Sequence, residues 1–235
     1  MSPTPLSESV CSWAERPHDT APQTGARSHV EVSPFRIVHS LLMPTQSTDT
    51  PPTDAVEEVR DLAKDFYGGF VPNQIKVLNE HSPAAARMYI ATMDLVEQGE
   101  LADHEREAVI LTISRYNDCH YCTRTHAFLG REAGLSQEAI QSIHRGGLPD
   151  DERLRTLVQA TRLLLDKRGW LDDEDQEGLE SAGVAERELY EINTLIGLKI
   201  FSNYVNHVAQ TDVDEMVTDH PEIQEMWPVL GKMDW

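Results

Sequence analysis

Between Glu107 and His126 the chain reads EAVILTISRYNDCHYCTRTH, which puts Cys119, Cys122 and His126 within eight residues and Glu107 twelve residues before the first cysteine. Residues three and four apart on a helix share a face, so this spacing aims both sulfurs and the imidazole at one pocket. Helical i,i+3 neighbours lie about 5–6 Å apart, inside the disulfide range, so the pair can cycle between dithiol and disulfide. Asn117 and Asp118 are good N-cap residues, which places the cysteines near the positive end of a helix, where a thiolate is favoured. Asp118 opposes this by repelling a neighbouring thiolate, and spacing alone does not rank the two effects. His126, one turn after Cys122, can take or return a proton. Glu107 has Ile110 and Leu111 as its i+3 and i+4 neighbours, which predicts partial burial, a raised pKa and a proton donor near neutral pH.

The elements that must position these groups read as helices throughout. Thr53 and Asp54 open a helix with Val56, Val59, Leu62, Ala63 and Phe66 on one side, and Gly68 and Gly69 end it. A turn at Phe70–Asn73 leads to a short helix through Ile75 and Leu78. Ser82 and Pro83 start the next, with Met88, Tyr89, Met93 and Val96 as its stripe. Asp103 is expected to cap the helix carrying Glu107, whose run Ala108–Ile113 is nearly all apolar and predicts a buried central helix. The cysteine helix runs to about Ala133. Ser136 then caps a short helix ending at Gly146, and acid at Asp150–Glu152 begins one closed by Gly169. A short acidic helix over Asp172–Ala182 and a long one from about Ala185 to Val208 follow. No strand alternation or solenoid-like repeat is present. The pattern predicts an all-α, compact bundle of roughly eight helices.

Forty acidic residues face twenty basic ones, a formal charge of −20, and only five residues are lysine. Such a chain cannot neutralise phosphates, which excludes nucleic acid as a partner. No signal peptide and no apolar run of membrane-spanning length is evident, so a cytoplasmic protein with no membrane partner is expected. In a reducing compartment a C-x-x-C is catalytic or metal-binding rather than structural. Residues 1–52 hold eight of the thirteen prolines and read as a disordered or loosely docked N-terminal tail, with Met43 as a second candidate start. Residues 53–215 form the helical domain and 216–235 a C-terminal extension, with Trp227 and Trp235, that packs late or on a neighbouring subunit.

Zinc is the competing use of Cys119, Cys122 and His126, with His104, His120 or His207 completing a tetrahedral site. There is no second cysteine pair at zinc-ribbon spacing, and three ligands on one helical turn are awkward around one ion, so no metal is expected. Asn203 and His207 share a face of the last long helix and read as packing or interface residues. Met88, Met93 and Phe201 read as core.

The order Glu107, eleven residues, Cys119-x-x-Cys122-x-x-x-His126, then a glycine-ended helix and Gly134-Leu135-Ser136, resembles the alkylhydroperoxidase D-like branch of the carboxymuconolactone decarboxylase superfamily. Phe70-Val71-Pro72-Asn73, Ser82-Pro83 and Ala182-Gly183-Val184 leading to Asn203 are similar to its peroxidase-related members. The resemblance spans about residues 55–215. It implies an all-helical homo-oligomer, a trimer or hexamer, that acts as an antioxidant peroxidase without cofactor. Matched position by position, Cys122 is the peroxide-attacking cysteine, Cys119 the resolving one, and Glu107 and His126 the proton relay. The family's best-studied form has a histidine directly before the second cysteine. Here that place is Tyr121, and His120 lies one earlier, about 100 degrees round a helix; both are expected to shape the pocket.

The implied partners are a hydroperoxide substrate and a dithiol reductant or a peroxiredoxin. Two alternatives are a lactone decarboxylase or isomerase, the superfamily's other chemistry, and a non-enzymatic redox sensor.

Overall fold

A computed structural model describes residues 52–230, with side chains to Met226. The described residues form eleven helices and no strand: α1 (Thr53–Phe66), α2 (Asn73–His81), α3 (Pro83–Val96), α4 (Asp103–Tyr116), α5 (His120–Glu132), α6 (Gln137–His144), α7 (Glu152–Lys167), α8 (Asp173–Ser181), α9 (Glu186–Ala209), α10 (Glu215–Thr218) and α11 (Pro221–Leu230). The all-α expectation holds. The count exceeds eight because α10 is a single turn and 221–230, read only as a terminal stretch, is helical. The tail expected over 1–52 lies outside the described residues apart from Pro52.

Local chemistry sets most boundaries. Ser82 Oγ accepts from Ala85 N, Ser136 Oγ from Ala139 N, and Asp151 and Asp172 carboxylates from Leu154 N and Asp175 N, which satisfies donors that every helix start leaves free. Asp103 is not the cap of α4. Ala102 holds that place, and the Glu105 carboxylate reaches back to its backbone N–H at 3.0 Å.

Helix α4 is the axis of the fold: Ala108, Val109, Ile110, Leu111 and Ile113 are fully buried, and α5, α6, α7 and α9 all pack on it. One apolar cluster joins α1, α2, α3, α7 and α9 to one side of α4, with Ile75, Ile90, Leu157 and Leu195 among its members. A second, around Leu111, Ile140 and Val158, is completed by Val217, Ile223 and Met226 from α10 and α11. The first part of the 216–235 segment therefore packs on α5 and α6 of its own chain. Leu62 and Met88, read as apolar-face residues, are 37% and 44% exposed. In α3 the buried row is Ala86, Tyr89, Ile90, Met93 and Val96, which leaves Met88 one step off the stripe.

Candidate active site

Three helices bring the reactive groups together. Helix α4 supplies Glu107, the start of α5 supplies Cys119, Cys122 and His126, and α9 crosses behind them. The α4–α5 link is only Asn117–Cys119, and it turns sharply because Asp118 adopts the left-handed region at φ 60°. Aspartate tolerates that conformation better than most residues. Asp118 is therefore the hinge and not the helix cap. Cys119 itself is the N-cap of α5, and its sulfur accepts from Cys122 N at 3.3 Å. Farther along α5, Gly130 lies flush on α4: a Cβ there would sit 2.7 Å from Leu135 Cδ1 and 3.7 Å from Glu107 Cβ. A Cβ there would require the Leu135 side chain to shift, while its approach to Glu107 is ordinary contact.

At the centre is a line of buried groups. The Glu107 carboxylate Oε2 lies 2.8 Å from His126 Nδ1. On the far side, His126 Nε2 lies 2.9 Å from Lys199 Nζ, and Lys199 is also 3.4 Å from the Tyr89 hydroxyl. Lys199 is completely buried. Burial disfavours its ammonium, but Tyr89 and the Cys122 anion more than offset that and raise its pKa. An ammonium can only donate, so His126 Nε2 accepts from Lys199. The ring proton is then on Nδ1, donated to Glu107. Glu107 thus fixes the tautomer, in the way carboxylates orient catalytic histidines.

Cys122 Sγ accepts a hydrogen bond from Asn206 Nδ2 at 3.2 Å, and the same amide donates to Gln74 Oε1 at 2.8 Å. Burial pushes the Cys122 thiol up, yet the hydrogen bond from Cys119, the fields of Lys199 and His126, and the Asn206 amide outweigh it and hold it at about 5. Cys119 moves the opposite way: its hydrogen bond to Cys122, its burial and the repulsion of the Cys122 anion raise it. The pair is therefore divided into a stable thiolate at Cys122 and a protonated thiol at Cys119, both free and buried. The sequence left the helix N-terminus and the Asp118 charge in balance, and in the structure Asp118 is not among the groups that set the Cys122 pKa. Asp118 is exposed, and the groups around Cys122 dominate.

Two cavities flank the pair. The first, of about 220 Å³, is mainly apolar and aromatic, with Tyr67, Phe70, Tyr89, Tyr121 and Phe128 in its wall and His126 at its inner end. Tyr121 spans its edge: its hydroxyl donates to Asp214 Oδ2 at 2.7 Å, while Asp214 Oδ1 accepts from Asn73 N at 2.9 Å. Burial, and then Asp214, raise the Tyr121 pKa, so the phenol stays a donor. The second is a shallow pocket that shares Tyr121 with the first and is otherwise bordered by Cys119, His120, Asn206, His207, Gln210 and Thr211.

The four residues expected to carry chemistry, Glu107, Cys119, Cys122 and His126, are brought into one buried cluster. Tyr121 borders both cavities, whereas His120 is exposed and borders only the shallow pocket. Asn203 is packed away with its Oδ1 accepting from Asn117 Nδ2 at 2.9 Å, and His207 is exposed beside His120. Sequence reasoning missed Lys199, Asn206, Gln74 and Asp214. One signal existed for Lys199: it is the single charge in the run LIGLKIF of a chain with five lysines. No metal-holding cluster of His, Cys, Asp or Glu occurs among the described residues, and no described helix is long and apolar enough to cross a membrane.

Residues 83–162 match the model of the carboxymuconolactone decarboxylase family, a segment that contains Glu107, both cysteines and His126. No curated protein shows significant sequence similarity. Among solved structures, the ligand-free debrominase Bmp8 is 18% identical with a TM-score of 0.59, over 77% of this chain and 98% of its own. A cysteine-to-alanine variant of Bmp8 in complex with 2,3,4-tribromopyrrole gives 18% and 0.57, over 76% and 98%. An uncharacterised peroxidase-related protein with an alkylhydroperoxidase AhpD core, from Ralstonia eutropha JMP134, gives 22% and 0.59, over 71% and 88%. At these identities the structures share the fold. The central helices, residues 83–162, are thus similar to the carboxymuconolactone decarboxylase family, and the described residues share the all-α fold of these structures.

Proposed function

We propose that the protein is a dithiol-dependent peroxidase that reduces hydroperoxides through Cys122 and Cys119. The observation that carries this reading is the division of the pair. A thiolate, not a thiol, is the nucleophile, and Cys122 is held in that form at about 5 while Cys119 keeps its proton. In the first step the Cys122 thiolate attacks the outer peroxide oxygen, the O–O bond breaks, and the alkoxide takes a proton from Lys199 to leave as the alcohol. Cys122 becomes a sulfenic acid. Cys119 then gives its proton to the Lys199 amine and attacks the Cys122 sulfur. The departing hydroxide recovers that proton as water, and a disulfide remains. With the thiolate gone, Tyr89 remains but the Cys122 anion no longer offsets the burial of Lys199, which favours the neutral amine until reduction restores the anion. His126, held by Glu107, orients Lys199 through both steps. An external dithiol resets the pair, and the reduced pair can in turn pass its electrons to the disulfide of a peroxiredoxin partner.

The test is peroxide consumption by pre-reduced protein with dihydrolipoamide in excess. Wild type turns over, Cys122→Ser consumes nothing, and Cys119→Ser stops after a single equivalent. Absence of turnover with every peroxide, from protein whose thiols are demonstrably reduced, overturns the reading.

A second reading has one observation in its favour. Five aromatic rings line the cavity beside His126, and the fold is shared with a debrominase. Removal of bromine from an aromatic ring would draw two electrons from the same dithiol pair. Release of bromide from a polybrominated pyrrole, lost in Cys122→Ser, would favour it over peroxide reduction.

A further inference from the structure

The two sulfurs differ in what surrounds them and in which cavity they border, and both differences bear on how the disulfide is reopened. Cys122 borders neither cavity. Its neighbours Tyr121 and His126 reach the aromatic cavity, while its sulfur is covered by Asn206 and lies in the field of Lys199. Cys119, itself buried, borders the shallow pocket with His120, His207, Gln210 and Thr211. We infer that the external dithiol enters by this pocket and attacks Cys119, so that substrate and reductant reach the pair through different pockets. This inference rests on the peroxidase reading above.

The chemistry of exchange points the same way. A thiolate attacking a disulfide displaces most readily the sulfur whose thiol has the lower pKa. Here the groups that stabilise the Cys122 anion, Asn206 and Lys199, are already in place. Attack on Cys119 expels Cys122 into that environment, whereas attack on Cys122 would expel Cys119, which lacks the Asn206 hydrogen bond and feels Lys199 less strongly. The first thiolate of the reductant forms a bond to Cys119 Sγ as the Cys119–Cys122 bond breaks, and Cys122 leaves as thiolate. The second thiol of the reductant loses its proton and attacks its own first sulfur. Cys119 leaves, takes a proton, and the reductant departs as a cyclic disulfide. Two electrons pass to the protein, and the four sulfurs end as one disulfide, one thiol and one thiolate.

His120 has a part at the rim. Burial and the nearby Arg124 lower its pKa, against the pull of Asp118, so at neutral pH its ring is free to accept the proton of an incoming thiol. The chain's charge of −20 selects against anionic reductants such as a free acidic tripeptide thiol, and favours an uncharged dithiol or one on a basic carrier.

The test isolates the reductive half, so it does not depend on peroxide turnover. Protein oxidised with diamide is exposed briefly to 2-mercaptoethanol and quenched with N-ethylmaleimide. Fragmentation of the peptide carrying both cysteines then separates them at His120 and Tyr121. The expected product carries mercaptoethanol on Cys119 and maleimide on Cys122. Mercaptoethanol on Cys122, or spread evenly over both, overturns the inference. A second measurement is the rate of disulfide reduction by dithiothreitol. Narrowing the shallow pocket with His207→Trp slows it by about tenfold, and narrowing the aromatic cavity with Leu129→Trp slows it less. Equal slowing, or the reverse order, contradicts the proposed route. Failure of diamide to form the disulfide at all would instead refute the peroxidase reading itself.

Discussion

Two buried ionic networks lean on helix α4, and they are built to different ends. Near its start, the Arg153 guanidinium joins Glu105, 2.7 Å from its Nε, and Glu188. Both carboxylates also cap a helix, Glu105 at Ala102 N and Glu188 at Ala185 N. Burial would raise the Glu188 pKa, but Arg153 and the Ala185 N–H lower it, so every charge has a fixed partner. At the candidate site, Lys199 is answered by a neutral imidazole, the Tyr89 hydroxyl and the Cys122 anion, and part of what holds its charge is present only while Cys122 is ionised. The first network ties helices together. The second holds a charge that the chemistry creates and removes.

The sharpest way to break this comparison is to remove each cation in turn. Lys199→Met leaves Cys122 without its compensating charge, and a thiol returned to about pKa 8.5 is only a few per cent ionised at neutral pH. Peroxide or alkylating-agent reactivity at Cys122 is expected to fall at least about 30-fold. Because Cys122 can take up a proton once its compensating charge is gone, no buried charge is stranded, and stability in urea falls less than in Arg153→Met. Arg153→Met should do the reverse. It strands two nearly buried carboxylates, and with the guanidinium itself one-third exposed, 34%, a loss of about 2 kcal/mol in urea unfolding is expected, below the full cost of breaking a buried pair. Cys122 reactivity remains that of the wild type. If both variants lose stability alike and neither alters the thiol, the distinction fails.

How much of this was readable follows from distance along the chain. Glu107, Cys119, Cys122 and His126 lie within twenty residues, so helical periodicity alone aligned them, and the caps at Ser82 and Ser136 are local hydrogen bonds that short patterns reveal. Lys199 and Asn206 come from a helix that meets His126 and Cys122 across 73 and 84 residues, and no local pattern encodes that crossing. Lys199 was hidden further by its own run, since an apolar helix reads as core or interface until the crossing is known. The α4–α5 link was misread for another reason. Asn117 and Asp118 suit an N-cap, but a three-residue connection between helices crossing this closely needs a left-handed residue, and Asp118 serves there while a sulfur takes the cap. Asp214 sat at the edge of the domain as read, in a segment with no visible periodicity, although its carboxylate joins Tyr121 to the start of α2.

The central claim is that Cys122 is a thiolate because Lys199 and its neighbours hold it so, and ultraviolet titration of the thiolate tests it most directly. The Cys122 pKa in the folded chain, about 5, lies below the ordinary thiol value, so the anion forms as pH rises through 5 and persists above it. Wild type should show a single thiolate appearing near that pH. Cys122→Ser should lose it, and Lys199→Met should move it up toward the ordinary thiol range. A wild-type protein with no thiolate below pH 8, or a Lys199→Met variant that titrates as wild type does, would contradict the account.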